Sequence, residues 1–179
     1  MTIERYNALV ASGVYDERDK IELIDGLLVE KIPKGDRHVL MLRRLIAAIS
    51  AQLPPTTLVT KEDPLTLSRS KPEPDLMVVS GDPASLESAE ITAADVAAVI
   101  EVADSSLNFD LGAKADAYAA GGVGLYYVVD LPNEKLWRHT GPSAAGFGQC
   151  QSVRAIEVES LSVIVAIAPL FERLGEVSA

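Results

Sequence analysis

Residues 96–118 read VAAVIEVADSSLNFDLGAKADAY, and this stretch decides the fold. The apolar, partly β-branched run at 96–102 predicts a central strand that carries one carboxylate, Glu101. A polar loop follows, and residues 110–120 predict a helix. Leu125–Asp130 is a second apolar run, so the unit is strand–helix–strand. Because such crossovers are right-handed, the two strands should lie parallel in one sheet.

The rest of the chain predicts further short strands and helices. Upstream, we expect a helix at 3–11 capped by Thr2, a hairpin at 21–32 around Asp25-Gly26, and an amphipathic helix at 39–53. Further upstream strands are predicted at 58–61, 65–67 and 76–79. Downstream, the chain predicts strands at 135–139, 150–158 and 163–167, a flexible loop at 141–148 and a final helix at 169–174. The pattern predicts a mixed α/β (α+β) fold in a single domain, residues 1–179.

Composition narrows the class of protein. The chain has 179 residues, one cysteine and no signal-peptide pattern, and its apolar runs are too short to span a bilayer, so we expect a cytoplasmic protein without a membrane partner. The net charge is −10, which argues against tight, indiscriminate binding to nucleic acid. The charge is uneven: residues 1–72 hold 11 Lys/Arg and 10 Asp/Glu, whereas residues 73–179 hold 5 and 16. A basic face in the first part is one reading, and a solvated mixed surface is the other.

Two carboxylates at or inside apolar strands indicate a site for chemistry. Asp75 stands at the mouth of the run at 76–79, and Glu101 lies within its strand. A buried carboxylate needs a cation or strong donors, and Mg²⁺ takes carboxylate, carbonyl and water oxygens. We therefore expect Asp75, Glu101 and the backbone carbonyl of Val102 to bind metal, with Lys114 reaching the site from the helix. Glu22, alone in the apolar run IELI, is a further acidic candidate.

Each of these residues also has a simpler interpretation. Asp75 follows a proline and suits a turn. Lys114 is spaced to pair with Asp110 on an exposed helix face, and Glu22 suits the solvent side of a hairpin. The joint occurrence of these groups around one strand–helix unit favours the functional interpretation.

Other reactive side chains give weaker signals. His38 is expected to be a surface residue at a helix start rather than a metal ligand. Ser105 and Ser106 suit a helix-entry loop, since no His–Asp pattern accompanies them. Cys150 has no neighbouring signal for reactivity.

Five motifs follow one another along the chain. They are the hairpin IELIDG at 21–26, Pro74-Asp75 ahead of an apolar strand, Glu101-Val102, Asp110 with Lys114 four residues on, and Val129-Asp130 at a strand end. No single motif is specific, but the ordered set, spanning about residues 4–172, resembles the Uma-two family. This family comprises restriction-endonuclease-like proteins of the PD-(D/E)XK nuclease superfamily.

The resemblance implies a restriction-endonuclease-like fold: a central mixed β-sheet flanked by helices, here with an N-terminal helix and hairpin. It also implies a metal-dependent phosphodiesterase site. Asp75 and Glu101 would be its metal-binding acids, Glu22 an additional acid, and Lys114 the catalytic lysine, moved from a strand onto the helix.

The chain departs from the superfamily pattern at two places. The lysine usually lies two residues after the second acid, a position held here by Ala103. The following loop reads Asp104-Ser105-Ser106 where relatives commonly have Ser-Pro-Ser. Asp104 adds a negative charge near the expected metal, where it would either help to bind the metal or repel substrate phosphate.

These observations predict an endonuclease that hydrolyses DNA phosphodiester bonds with Mg²⁺ (or Mn²⁺). The net negative charge and the missing strand lysine support an alternative, a catalytically degenerate nuclease fold that acts as a binding or regulatory module. A third interpretation is an interaction protein whose sheet edge or apolar surface forms a homodimer. A homodimer would also suit an enzyme that cuts both strands.

Overall fold

The structure is a computed structural model that describes residues 1–14, 19, 21–81, 90–172 and 174. The helices are α1 (Ile3–Ala11), α2 (Asp36–Ser50), α3 with its consecutive segments Leu107–Phe109, Asp110–Lys114 and Ala115–Ala120, and α4 (Ala168–Phe171). The strands are β1 (Ile21–Ile24), β2 (Leu27–Glu30), β3 (Thr57–Thr60), β4 (Leu65–Thr66), β5 (Leu76–Ser80), β6 (Ile91–Thr92), β7 (Val96–Ala103), β8 (Leu125–Asp130), β9 (Lys135–Ser143), β10 (Gly146–Val153), β11 (Ala155–Val158) and β12 (Val163–Ala166). Short 3₁₀ turns lie at Ala93–Asp95 and Glu159–Leu161.

A six-stranded mixed sheet, in the order β10-β9-β8-β7-β5-β3, forms the centre of the molecule. β7 and β8 pair in parallel, from Val99 opposite Tyr126 to Ala103 opposite Asp130, and the other neighbours are antiparallel. The strand–helix–strand prediction for residues 96–130 is thereby confirmed, as is the mixed sheet flanked by helices. Smaller two-stranded sheets join β1 with β2, β4 with β6, and β11 with β12.

Apolar side chains cover both faces of the central sheet. Successive side chains of a strand point to opposite faces. Leu76 and Ile100 therefore pack against α2, in a cluster that contains Leu45. Met77 and Val99 pack on the other face, in a cluster with Tyr118 of α3. Burial on both faces explains why β5 and β7 are continuous apolar runs, and by the same alternation Asp75 and Glu101 belong to the α3 face.

The hairpin and first helix form where the sequence predicts them. Asp25 and Gly26 both have positive φ, 45° and 78°, as a type I′ turn requires. A Cβ on Gly26 would lie 3.1 Å from the Met1 carbonyl oxygen, so glycine also permits the N-terminus to pack against the turn. The Thr2 side chain accepts a hydrogen bond from the Arg5 N–H and caps α1.

The bounds of two predicted helices and one predicted loop differ clearly from the structure. α2 begins at Asp36, directly after the N-cap Gly35, and ends at Ser50, three residues before the predicted end. The helical stretch of α3 begins at Leu107 and is kinked at Gly112, whose φ of −109° and ψ of −106° are not helical. The predicted loop at 141–148 instead closes a long β9–β10 hairpin, because its small residues allow Pro142 to pair with Phe147 across a two-residue turn.

Two further findings concern the C-terminal strands and the lengths of the helices. The predicted strand at 150–158 is split at Arg154, since β10 joins the central sheet and β11 pairs with β12. Among the residues that the structure describes, no helix has the length and apolar character needed to cross a membrane.

Candidate active site

Four sequence-predicted residues from four separate elements meet in the structure. Glu22 comes from β1, Asp75 from the entrance of β5, Glu101 from β7 and Lys114 from α3, and all four are buried. They line a cleft of about 330 Å³ whose wall also includes the β2–α2 loop. The solvent-facing alternative for Glu22 is wrong, because only 3% of this residue is exposed.

The carboxylates of Asp75 and Glu101 each accept a hydrogen bond from a backbone N–H of the neighbouring strand segment. The Asp75 N–H donates to Glu101 Oε2 over 3.2 Å, and the Val102 N–H donates to Asp75 Oδ2 over 2.8 Å. Both bonds lie just beyond the last register pair of the β5–β7 ladder, Leu76 with Ile100. Because the N–H and C=O of one residue point to the same side of a strand, the Val102 carbonyl also faces Asp75.

Lys114 is sealed between carboxylates. Its Nζ lies 2.8 Å from Glu101 Oε1 and 3.4 Å from Glu22 Oε1. Asp110 is also buried and accepts a hydrogen bond from Ser106 Oγ, so the alternative of an exposed Asp110–Lys114 pair is wrong. Burial alone would lower the pKa of Lys114, but Glu101, Glu22 and Asp110 raise it above its ordinary value, and the ammonium is charged.

Glu101 lies at the most crowded point of this charge cluster. Burial raises its pKa to about 8; Lys114 opposes this shift, while the charges of Asp75, Asp110 and Glu22 add to it. Its Oε1 also accepts a hydrogen bond of 2.7 Å from the Tyr118 hydroxyl. Lys114 and Lys34, which contacts Asp75, carry two positive charges against these four carboxylates, so bound protons or a further cation would offset the excess negative charge.

Two functional candidates on the other side of Asp75 were not predicted. His38 is buried rather than on the surface, and its Nε2 lies 3.2 Å from Asp75 Oδ1. Lys34, on the β2–α2 loop, places Nζ 2.7 Å from the same oxygen. Burial alone would raise the pKa of Asp75, but His38 and Lys34 hold it well below its ordinary value.

Helical spacing could have revealed two of the missed residues. His38 extends the buried stripe formed by Leu42, Leu45 and Ile49 by one turn towards the N-terminus. Tyr118 follows Lys114 by four residues and therefore shares its helix face. Lys34 belongs to a loop, and no periodic signal marks it.

The remaining polar residues of the sequence analysis have different environments. Asp104 and Ser105 are exposed at the edge of the cleft, and Ser106 binds Asp110 as a helix-entry residue, as predicted. Cys150 is exposed as a residue, and its Sγ lies 3.5 Å from His139 Nε2. Partial burial of the thiol raises its pKa above the ordinary value. It is therefore not an activated thiolate.

Ala103, at the position where the family resemblance leads one to expect a lysine, is fully buried in the apolar cluster on the α3 face. Lys114 reaches the carboxylate of Glu101 from α3 instead. The amine therefore arrives from the helix that packs over β7, and not from the strand itself.

The donor set suits a metal that keeps much of its water. Within the described residues, no group of three or more His, Cys, Asp or Glu side chains is arranged to hold a metal ion. Asp75, Glu101 and the Val102 carbonyl nevertheless offer oxygen donors at one point of an open cleft. Mg²⁺ is usually bound by one or two carboxylates and keeps several waters. These oxygen donors therefore suit Mg²⁺ or Mn²⁺ rather than a metal enclosed entirely by protein ligands.

The crowding at Glu101 predicts a pH dependence of stability. Its folded-state pKa, about 8, lies above the ordinary value of 4.5. The folded state therefore holds a proton more tightly, and the contribution of Glu101 to stability is present below about pH 4.5 and lost as pH rises through about 8. In EDTA, the melting temperature of wild type should fall over this range more than that of Glu101→Gln. If the melting temperatures of the two proteins changed in parallel with pH, the raised pKa of Glu101 would be contradicted.

Comparison with known proteins identifies the family. A profile of the Uma2 family, described as "Putative restriction endonuclease", matches residues 3–168, and the chain belongs to this family. No match was found among curated proteins.

A solved structure shares the fold. The chain is similar to the crystal structure of a "putative nuclease belonging to DUF820" from Anabaena variabilis, with a TM-score of 0.77 and 14% sequence identity. The alignment covers 97% of this chain and 99% of that chain. The likeness concerns the fold, which agrees with the restriction-endonuclease-like architecture predicted from the motifs.

Proposed function

We propose that this chain is a divalent-metal-dependent endonuclease that hydrolyses DNA phosphodiester bonds, with Mg²⁺ or Mn²⁺ as its cofactor. The observation that carries the proposal is the convergence of Glu22, Asp75, Glu101 and Lys114 in one cleft of a Uma2-family chain. These residues lie far apart in sequence and meet only through the sheet and its flanking helix. Simple surface or turn roles do not account for their common burial.

Each residue has a specific role in this proposal. Asp75, Glu101 and the Val102 carbonyl would hold the metal, which when bound polarises a phosphoryl oxygen and lowers the pKa of water. Lys114 holds Glu101 in place through its 2.8 Å contact and favours its ionised form, and its charge stabilises negative charge that develops nearby. Glu22 holds the other side of the Lys114 ammonium.

The charge of the cleft supports a rival function. Its lining contains the three lysines Lys31, Lys34 and Lys114, but seven carboxylates, Glu22, Glu30, Glu73, Asp75, Glu101, Asp104 and Asp110. Such a surface repels a polyanion unless cations are bound. The rival is therefore a degenerate nuclease fold that serves as a binding or regulatory module.

Plasmid nicking tests the proposal. Wild type is expected to nick supercoiled plasmid with Mg²⁺ or Mn²⁺ and not with EDTA. Asp75→Asn should reduce the rate by at least about 100-fold, equivalent to about 2.7 kcal/mol of transition-state stabilisation. Asp63→Asn is the matched control, because Asp63 is exposed and does not line the cleft. Equal activity of Asp75→Asn and wild type would remove Asp75 from the mechanism.

Calorimetric titration with Mn²⁺ separates the two functions. A nuclease of this kind should bind Mn²⁺, and the binding should weaken in Asp75→Asn. Absence of Mn²⁺ binding to wild type, together with no nicking, would favour the degenerate module. A homodimer and a cytoplasmic location stay predictions.

A further inference from the structure

Lys34 connects the metal-binding acids with the mouth of the cleft. It lies on the loop between β2 and α2, and its Nζ contacts both Asp75 Oδ1, at 2.7 Å, and the Glu62 carboxylate. Lys31, on the same loop, pairs with Glu73. Two lysines of one loop are thus held by acids of the segment that leads into β5.

Lys34 is free to change partners, whereas Lys114 is not. The side chain of Lys114 retains 8% of its exposed surface and lies beneath Glu22 and Glu101. The side chain of Lys34 retains 26% and lines the open part of the cleft. A lysine has a long flexible stem and a point charge, so Lys34 can turn from Asp75 towards a ligand without disturbing the core.

A metal ion bound to Asp75 would weaken the ion pair between Asp75 and Lys34. An ammonium 2.7 Å from Asp75 Oδ1 and a divalent cation on the same oxygen repel each other strongly. Glu62 alone would then hold Lys34, in a partly exposed pair of the kind that contributes little stability. A phosphodiester group in the cleft is an anion of the right charge to replace Asp75 as the partner of Lys34.

We propose that Lys34 binds a backbone phosphate of the nucleic-acid substrate, and that it leaves Asp75 when the metal binds there. This inference rests on the proposed function, and it names the group that receives substrate at the site. Lys34 thus competes with metal before catalysis and attracts substrate once the metal is in place.

The proposed role predicts that one variant, Lys34→Met, binds metal more tightly and DNA more weakly than wild type. Lys34→Met removes the competing charge, so Mn²⁺ affinity measured by calorimetry without DNA should rise by about three- to tenfold. The same variant should bind a fluorescent DNA duplex, with Ca²⁺ as the metal, more weakly than wild type. Loss of one phosphate contact should reduce the slope of log affinity against log salt by about 1. A purely structural lysine would not produce both effects, since disruption of the site weakens both ligands.

Lys61→Met is the matched control. Lys61 also contacts Glu62, at 3.4 Å, but it does not line the cleft, and it should leave both measurements at wild-type values. Wild-type values for Lys34→Met would overturn the inference while leaving the proposed function intact. A rise in Mn²⁺ affinity without the change in slope, or the reverse, would also overturn it. Absence of Mn²⁺ binding to wild type would instead overturn the proposed function, and this inference with it.

Discussion

Lys114→Ala is expected to lower the free energy of unfolding by about 3–5 kcal/mol, because it removes the cation from a buried ion pair. The ammonium lies within 3.4 Å of both Glu22 and Glu101, and both carboxylates are buried. Without Lys114 they face each other in a poorly hydrated space. Denaturant unfolding above about pH 8, where Glu101 is ionised, and without metal, measures the loss.

The pH dependence of this loss identifies its cause. Lys114 is the charge that opposes the upward shift in the pKa of Glu101. In Lys114→Ala the folded-state pKa of Glu101 should move still higher, so the variant gains stability relative to wild type as pH falls. The difference between the two proteins is expected to be largest above about pH 8 and to shrink as pH falls to about 8. A loss that stays constant with pH would indicate a packing defect instead.

Two further variants complete this experiment. Lys114→Met keeps most of the side-chain volume and removes the charge, so it should show the same pH dependence as Lys114→Ala. Lys61→Ala removes a lysine that is exposed, and it should change stability by less than about 1 kcal/mol. A small effect of both Lys114 variants would contradict the buried ion pair.

Glu101→Gln is expected to reduce metal-dependent nicking by at least about 100-fold, equivalent to about 2.7 kcal/mol. Glutamine preserves the size of the side chain and an acceptor for the Tyr118 hydroxyl, which lies 2.7 Å from Oε1. It removes the negative charge that a metal requires. Mn²⁺ binding should therefore weaken along with activity, while circular dichroism shows a folded protein.

A surface variant provides the control for this experiment. Glu159 is exposed, with a weak contact to Arg138, and Glu159→Gln should nick plasmid as wild type does. If Glu101→Gln bound Mn²⁺ and nicked plasmid at wild-type rates, Glu101 would have no part in the site. The acids of the mechanism would then have to be sought elsewhere in the cleft.

Much of the fold could be predicted because its elements obey local rules. Asp25-Gly26 specifies a type I′ turn, and the buried runs of β7 and β8 leave a parallel pair as the simplest arrangement. The error at 141–148 has an equally local origin. Glycine and alanine are common in loops, but here tertiary pairing with β9 determines the conformation.

The candidate site was predictable only in part. Glu22, Asp75 and Glu101 stand out because each is a lone charge at or inside an apolar run, which signals burial. His38 was misplaced because the start of α2 was set three residues too late. Lys34 gave no signal, because its contact with Asp75 joins residues 41 positions apart and depends on how a loop folds over the cleft.

The pairing of β5 with β7 beside Asp75 and Glu101 has a consequence for how such a chain can evolve. A slip of one residue in the pairing of β5 with β7 would turn Asp75 to the α2 face, away from Lys114. Insertions and deletions in connecting loops do not change which side chains of β5 and β7 face α3. A single insertion or deletion within the paired segment would place the two acids on opposite faces of the sheet. The placement of the acidic pair is therefore inherited with the strand register, and it can persist while the surrounding side chains change.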